Sequence, residues 1–162
     1  EITSTAFANN KHIPSQYSCL GENINPPLSI SKIPKNSKSL ALLVDDPDAP
    51  VGDWVHWLVF NIKPTTQEIK ENSIPANSVI GLNSSGRNQY EGPCPPSGTH
   101  HYYFKIYALD TVLDLDQTTT KEIFLKNISG HIVDQNELIG LLPKNKISKK
   151  QISTFPHQNQ KS

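Results

Sequence analysis

The stretch that decides the fold is Leu40-Ala-Leu-Leu-Val44, followed by Asp45-Asp-Pro-Asp-Ala-Pro50 and then by Trp54-Val-His-Trp-Leu-Val-Phe-Asn61. The first run is short and apolar and stops at prolines, which is typical of a buried strand. The second run is rich in β-branched and aromatic residues and also predicts a strand. The two runs are close enough along the chain to form a hairpin.

Further along the chain, His100 to Leu109 predicts a third strand. Thr119 and Glu122 have the spacing of a capping box, which predicts a helix over 120–129, with Gly130 at the left-handed position after its end. The segment 131–142 predicts one more strand near its end. Strands dominate and a single helix comes late, so the pattern predicts a mainly β domain with one short helix.

The composition fits one soluble domain, because the chain has 162 residues, of which 35% are hydrophobic, and a formal net charge of zero. No apolar run approaches the ~18 residues of a membrane span, so none is expected. A chain with no net charge also gives no sign of the basic surface that nucleic-acid binding requires. The five lysines after Pro143 leave ten basic and fifteen acidic residues before them. We therefore predict a domain over 1–142 and a basic, flexible tail over 143–162, although the tail lysines could also touch an anionic surface.

Several kinds of chemistry are disfavoured by the motifs that are missing. The chain has no Gly-x-Ser-x-Gly elbow, no phosphate-binding P-loop and no Gly-x-Gly-x-x-Gly fingerprint. His100 and His101 are adjacent, so on a strand they point to opposite faces and cannot ligate one ion together. We expect a protein that is not an enzyme and that needs no metal and no cofactor.

The candidate functional side chains lie at or beside strand ends. Strict alternation places Trp54, His56, Leu58 and Phe60 on one face of the second strand and Val55, Trp57 and Val59 on the other. A half-buried His56 needs a partner for a ring nitrogen, and Asp46 or Asp48 is the nearest candidate. The alternative is an ordinary core histidine with a structural aspartate.

The segment 81–99 is rich in glycine, proline, serine and asparagine, and it predicts a long loop, which in a small domain is usually functional. Within it, Gly92-Pro-Cys-Pro-Pro96 is stiff, because proline fixes φ. Rigid backbone N–H groups beside two histidines favour an anion. The alternative is a turn-rich connection without a ligand.

Four motifs in this order resemble the phosphatidylethanolamine-binding protein family, and most of all its bacterial Raf kinase inhibitor-like branch. They are Ser39 to Pro50 with its Asp-Asp-Pro-Asp-Ala-Pro end, Trp54-Val-His-Trp57, Tyr90-Glu-Gly-Pro-Cys-Pro-Pro96 and Gly98-Thr-His-His-Tyr102. Gly21 to Leu28 and Gly130-His-Ile fit the same branch. The resemblance covers about residues 5–142.

This resemblance implies two packed antiparallel sheets, one or a few short helices, and a small anion pocket. Carried over motif by motif, the implied ligand-binding residues are Asp46, Asp48, Pro50, His56, Gly92, Cys94, Pro95, His100 and Tyr102. His101 stands where the family often has arginine, so the nearby charge differs. The resemblance, with the need for a tight turn after Asp48, also implies a cis bond between Ala49 and Pro50.

We expect a binding protein for a phosphate or a phospholipid head group, with His56 and His100 as donors and a wall from Gly92 to Pro95. The alternative is an inhibitor of a protein partner, such as a kinase or protease, through its surface loops. A dimer is possible.

We expect Cys19 and Cys94 on the pocket side but too far apart to bond. A start at Glu1 without any methionine suggests a removed leader or a trimmed chain, which leaves an exported and a cytoplasmic protein both open.

Overall fold

The computed structural model describes residues 1–143, so the predicted tail beyond Pro143 lies outside the described residues. In chain order, the strands are β1 (Ile2–Thr3), β2 (Lys11–His12), β3 (Leu28–Ile30), β4 (Ser39–Asp46), β5 (Trp54–Ile62), β6 (Glu68–Ile69), β7 (Val79–Ile80), β8 (Thr99–Leu109) and β9 (Ile132–Pro143). A 3-10 turn spans Ser15–Tyr17, and the helix α1 spans Lys121–Ile128. The predicted mainly β fold is therefore confirmed.

The strands form two sheets. The larger sheet has the order β2-β9-β8-β4-β5-β7, and the smaller one has the order β1-β3-β6. Neighbouring strands are antiparallel, as expected, except that β2 pairs with β9 in parallel. The three strong sequence runs become β4, β5 and β8, and β4 lies between the other two, so its residues are covered on both edges.

The larger sheet has an apolar core on each face, because β4 is buried on both faces and reads as a continuous apolar run. On one face, Leu42, Trp57 and Phe104 pack with Leu28 and Ile69 of the smaller sheet. On the other face, Leu43 and Leu58 of the sheet pack with Phe124 of α1. The six-stranded sheet thus lies between the small sheet and the helix.

The helix begins one residue later than the capping-box spacing predicts. Thr120 is the N-cap, and its hydroxyl accepts a hydrogen bond from the backbone N–H of Ile123 at 3.4 Å. Thr119 is instead buried, and its hydroxyl donates to the carbonyl oxygen of Asp116 at 2.7 Å. The position of Gly130 is as expected, since its φ is +82°. None of the helices described is long and apolar enough to cross a bilayer.

Candidate functional site

A cavity of about 640 Å³ opens at the end of the larger sheet where β4 ends and β5 and β8 begin. Its floor is formed by strand residues and its walls by the turn after β4, the 81–98 loop and the segment after the 3-10 turn. The cavity is lined by Cys19, Asn23, Asp46, Ala49, Pro50, Val51, Trp54, His56, Ser85, Arg87, Gln89, Glu91, Gly92, Cys94, Pro95, Pro96, His100 and Tyr102. Of the predicted ligand-binding residues, Asp48 alone is missing from this lining.

His56 and Trp54 both line the cavity, as alternation predicts, but His56 does not share its face with Leu58 and Phe60. Val44 of β4 pairs with Trp57 of β5, but the next residue, Asp45, pairs with Val55. His56 is therefore an extra residue in the pairing of the two strands. The ring of His56 packs edge-on against Tyr102, at 5.3 Å between centroids. Leu58 and Phe60, which alternation places beside His56, instead face the helix. The predicted assignment of faces is wrong for the residues after His56, because the pairing irregularity interrupts the period of two.

The partner of His56 is a backbone carbonyl and not an aspartate. Its Nδ1 donates to the carbonyl oxygen of Glu91 at 2.6 Å, so the expected pairing with Asp46 or Asp48 is wrong. The 81–98 loop folds back over β5 and presents this carbonyl, and the N–H of Glu91 donates in return to the carbonyl oxygen of His56. His56 is only 5% exposed, and this burial lowers its pKa, although the carbonyl and Asp46 oppose the shift.

Because a carbonyl can only accept, Nδ1 of His56 carries the proton in the neutral ring. Its Nε2 is then a bare acceptor, and it is buried without a hydrogen-bond partner among residues 1–143. Protonation turns the same atom into a donor. The ring therefore offers the cavity an acceptor when neutral and a donor when charged.

Asp46 orients the second histidine. Its Oδ2 accepts from Nδ1 of His100 at 2.6 Å, and both side chains are nearly inaccessible to solvent. This bond leaves Nε2 as the ring nitrogen that His100 can offer to a ligand. The rings of His100 and Tyr102 are stacked at 6.3 Å between centroids, so both histidine rings pack against the ring of one tyrosine.

Asp48 lies outside the cavity, which corrects its predicted place in the site. Its carboxylate accepts from the backbone N–H and from Nδ1 of His101, each at 2.8 Å. These hydrogen bonds lower the pKa of Asp48. The chain turns directly after β4, so the alternation that would align Asp48 with Asp46 ends with the strand.

Tyr102 forms the base of the floor. Its side chain is completely buried, and its hydroxyl has no hydrogen-bond partner in the described part of the chain. Burial and the nearby charge of Asp46 raise the pKa of the phenol, which therefore stays protonated. Such an orphaned group needs a partner, and a ligand in the cavity can provide one.

The proline loop is covalently tied to the opposite wall. Cys19 and Cys94 both line the cavity, as expected, but they form a disulfide with their Cα atoms 5.5 Å apart, so the expectation of two unbonded thiols is wrong. The loop folds against the segment after the 3-10 turn, since the N–H of Cys19 donates to the carbonyl of Pro93 and the N–H of Gly92 donates to the side chain of Asn23. This contact joins positions separated by 75 residues, which their spacing alone cannot indicate.

The turn that carries Pro50 closes without the expected cis bond. All peptide bonds in the described residues are trans, so the prediction for Ala49–Pro50 is wrong. The chain turns because Asp46 accepts the N–H of Asp48 at 2.8 Å and because the N–H of Gly52 donates to the carbonyl of Ala49 at 3.0 Å. Gly52 has a φ of +100°, which a residue with a side chain rarely adopts.

Sequence reasoning missed two groups of this site. The carbonyl of Glu91 carries no side-chain signal, and no motif could have revealed it. Arg87, in contrast, is the one arginine of the chain, against 14 lysines. Its rarity, in a loop predicted to be functional, could have marked it as a candidate binding residue. Within residues 1–143, no three His, Cys, Asp or Glu side chains are arranged to hold a metal ion.

Residues 3–142 match the family described as phosphatidylethanolamine-binding protein. The chain is 51% identical over 145 residues to a UPF0098 protein of Methanothermobacter thermautotrophicus, covering 86% of this chain and 96% of that one. Among solved structures it is similar to a homologue from Chlamydia trachomatis, at 44% identity and a TM-score of 0.85, covering 89% of this chain and 97% of that one. It is also similar to YbcL of Escherichia coli, described as a member of the mammalian family, at 28% identity and a TM-score of 0.83, covering 88% and 97%.

Proposed function

Because the chain belongs to the phosphatidylethanolamine-binding protein family, we propose that it is a non-enzymatic binding protein whose cavity holds a small anionic group. The anion is a phosphate or a phosphorylated head group. Within the family, the sequence motifs of the chain most resemble the bacterial Raf kinase inhibitor-like branch. Two orphaned atoms carry this proposal. Nε2 of His56 and the hydroxyl of Tyr102 are buried at the floor of one cavity without a protein partner in the described chain.

The arrangement of donors supports an oxygen-rich ligand. The phenol of Tyr102 donates one hydrogen bond, and Nε2 of His56 donates a second when that ring is protonated. Asp46 fixes the ring of His100 beside them. Several donors that converge on one point are the usual means of holding a phosphate, and a charged donor roughly doubles the strength of such a hydrogen bond.

The hydroxyl and thiol groups near the histidines are poorly placed to act as nucleophiles, which supports binding without catalysis. Nucleophilic catalysis needs a hydroxyl or thiol within hydrogen-bond reach of a base. Ser85 donates instead to the carboxylate of Glu91, and the two cysteines are bonded to each other. The raised pKa of Tyr102 makes that phenol a poor nucleophile.

A titration with inorganic phosphate and with phosphorylethanolamine, followed through the histidine ring signals in NMR spectra, tests the proposal. We expect saturable shifts of the His56 and His100 signals, and we expect His56→Ala to weaken the affinity ~10-fold or more, the loss of one hydrogen bond to a charged group. His12→Ala is the control, because His12 is exposed on β2 and does not line the cavity. Unchanged ring signals at saturating phosphate would overturn the proposal.

The alternative is a regulator of a protein partner that carries the anionic group on a side chain. One observation favours it, since Val51 at the rim of the cavity is 79% exposed and could contact such a partner. A pull-down with wild-type protein and with His56→Ala distinguishes the two. A partner that uses the cavity is lost with the variant, whereas one that uses other loops is retained.

A further inference from the structure

We infer that Arg87 binds the acidic group of the ligand when His56 is neutral, and that the size and apolar lining of the cavity favour an organic phosphate over inorganic phosphate. This inference rests on the proposed function, because it names the residue that supplies the charge for anion binding. It concerns the mouth of the cavity and not its floor.

The charge of the cavity is the first observation. Asp46 and Glu91 contribute two carboxylates to the lining, and Arg87 is its one permanent cation among the described residues. With neutral histidines the lining is therefore net negative, which disfavours an anion. At neutral pH, Arg87 is therefore the side chain of this lining that can supply positive charge to a phosphate.

The second observation is that the guanidinium of Arg87 is not engaged elsewhere. Within residues 1–143 it forms no ion pair and no side-chain hydrogen bond, and the residue is exposed. Glu91, the nearest acid along the loop, accepts from the hydroxyl of Ser85. A guanidinium presents its donors in a planar fork that fits two oxygens of a phosphate, and this fork is available.

The third observation is that the backbone of Arg87 is held rigidly. The buried side chain of Asn83 accepts from the N–H groups of Ser85 and Arg87 at 3.0 Å each and donates to the carbonyl of Gln89 at 2.9 Å. The N–H of Asn83 also donates to the carbonyl of Arg87 at 2.9 Å. The turn thus holds the backbone of Arg87 at the cavity, and the long side chain can reach a ligand there.

The size of the cavity indicates an organic ligand. Its volume of about 640 Å³ lies within the ~300–1,000 Å³ typical of pockets for drug-sized molecules, which is far more than a bare phosphate fills. Pro50, Val51 and Pro95 add apolar surface to the lining. An organic phosphate can place its acidic oxygens on Arg87 and its organic part against these side chains.

The pH dependence follows from the groups that face His56. They are Asp46 from β4, Asp53 before β5, Glu91 from the loop and Tyr102 from β8, while His100 and Arg87 line the same cavity. When His56 is protonated, it adds a second cation and its Nε2 becomes a donor. When it is neutral, Nε2 is an acceptor, and Arg87 must carry the attraction for the anion.

The experiment compares the wild type, Arg87→Gln and Lys63→Gln by calorimetric titration with inorganic phosphate and phosphorylethanolamine at about pH 6 and about pH 8. Lys63→Gln removes the same charge from an exposed residue outside the cavity lining. We expect Arg87→Gln to weaken both ligands ~10-fold or more at the higher pH, with a smaller loss at the lower pH, and Lys63→Gln to match the wild type. Phosphorylethanolamine should bind the wild type more tightly than inorganic phosphate.

Two results would overturn the inference, and they differ in what they mean for the proposed function. If the wild type binds and Arg87→Gln matches Lys63→Gln at the higher pH, the inference fails and the anion pocket stands. If the wild type binds neither ligand at either pH, both fail. Thermal unfolding of all three proteins checks that the variants are folded, which we expect because the Arg87 side chain has no partner in the described chain.

Discussion

His56 and Trp57 are consecutive residues of β5, yet both side chains lie on the face of the larger sheet that carries the smaller sheet. His56 contacts the ring of Tyr102, and Trp57 contacts the ring of Tyr90 at 5.6 Å between centroids. Trp57, Tyr90 and Tyr102 belong to one core, whereas Val55 packs on the helix side. The extra residue in the pairing with β4 is the mark of a β-bulge, which redirects a side chain next to a site. The bulge therefore brings His56 into the cavity.

The affinity for an anion should increase as the pH falls. Burial lowers the pKa of His56 below its ordinary value of about 6.5, so the ring becomes a cation and an Nε2 donor only at a pH below that value. Calorimetric titration with sulfate, whose charge is constant over this range, measures the trend. Binding that strengthens towards alkaline pH would contradict it and would indicate a metal or a general base.

The lowered pKa of His56 also makes the stability of the ligand-free protein depend on pH, in the direction opposite to that of anion binding. The unfolded chain binds a proton at His56 more tightly than the folded chain does, because the folded pKa is lower. The free energy of unfolding should therefore decrease as the pH falls below about 6.5 and through the lower folded pKa. Saturating sulfate should offset this decrease in the wild type, and His56→Gln should weaken both effects in chemical unfolding experiments.

Reduction of the disulfide should destabilise the protein. Cys19 and Cys94 close a long loop, with a sequence separation of 75, and a crosslink of this span contributes about 4 kcal/mol in the chain-entropy account. We expect urea unfolding to show a loss of this order with reductant and in the double variant Cys19→Ser, Cys94→Ser. The double variant should be insensitive to reductant. A thiol assay of the unfolded, unreduced protein should find no free thiol, and two equivalents would contradict the structure.

The sequence predicts the elements of this fold well and the contacts between distant loops poorly. The strands β4, β5 and β8 follow from runs of apolar and β-branched residues, which are local signals. The partners of His56 and Cys19 lie in the 81–98 loop and depend on how that loop folds back. The bulge at His56 likewise arises from pairing with β4. Local patterns and family motifs therefore named most of the residues that line the cavity, whereas their hydrogen bonds required the tertiary structure.

Gly92 should not tolerate a side chain. An added Cβ would lie 2.3 Å from the carbonyl oxygen of Tyr17 and 2.6 Å from Oδ1 of Asn23. The first contact is with backbone, so the loop would have to move away from the opposite wall, and the N–H of Gly92 would lose its bond to Asn23. We expect Gly92→Ala to lower the free energy of unfolding by about 2 kcal/mol, within the range for overpacking, and to weaken phosphate binding. Ser97→Ala, at an exposed position of the same loop, should change neither.

Lys121 links the helix to the strand that carries the site. Its ammonium contacts the buried carboxylate of Asp45 at 3.0 Å and also contacts Asp53, which precedes Trp54 of the cavity. Burial raises the pKa of Asp45, so its charged form is costly and depends on Lys121 and on Lys105, which lies 3.2 Å away. Removing one of the two cations leaves that carboxylate only partly compensated.

We therefore expect Lys121→Met to lower the free energy of unfolding at neutral pH by about 3 kcal/mol, the lower end of the range for breaking a buried ion pair, because Lys105 remains. Lys126→Met, on the exposed side of the same helix, should have little effect. Adding Asp45→Asn to Lys121→Met should recover part of the loss, since the buried charge is then gone. Urea unfolding of the three variants measures these differences. If Lys121→Met and Lys126→Met are equally stable, the ion pair with Asp45 contributes nothing to the fold.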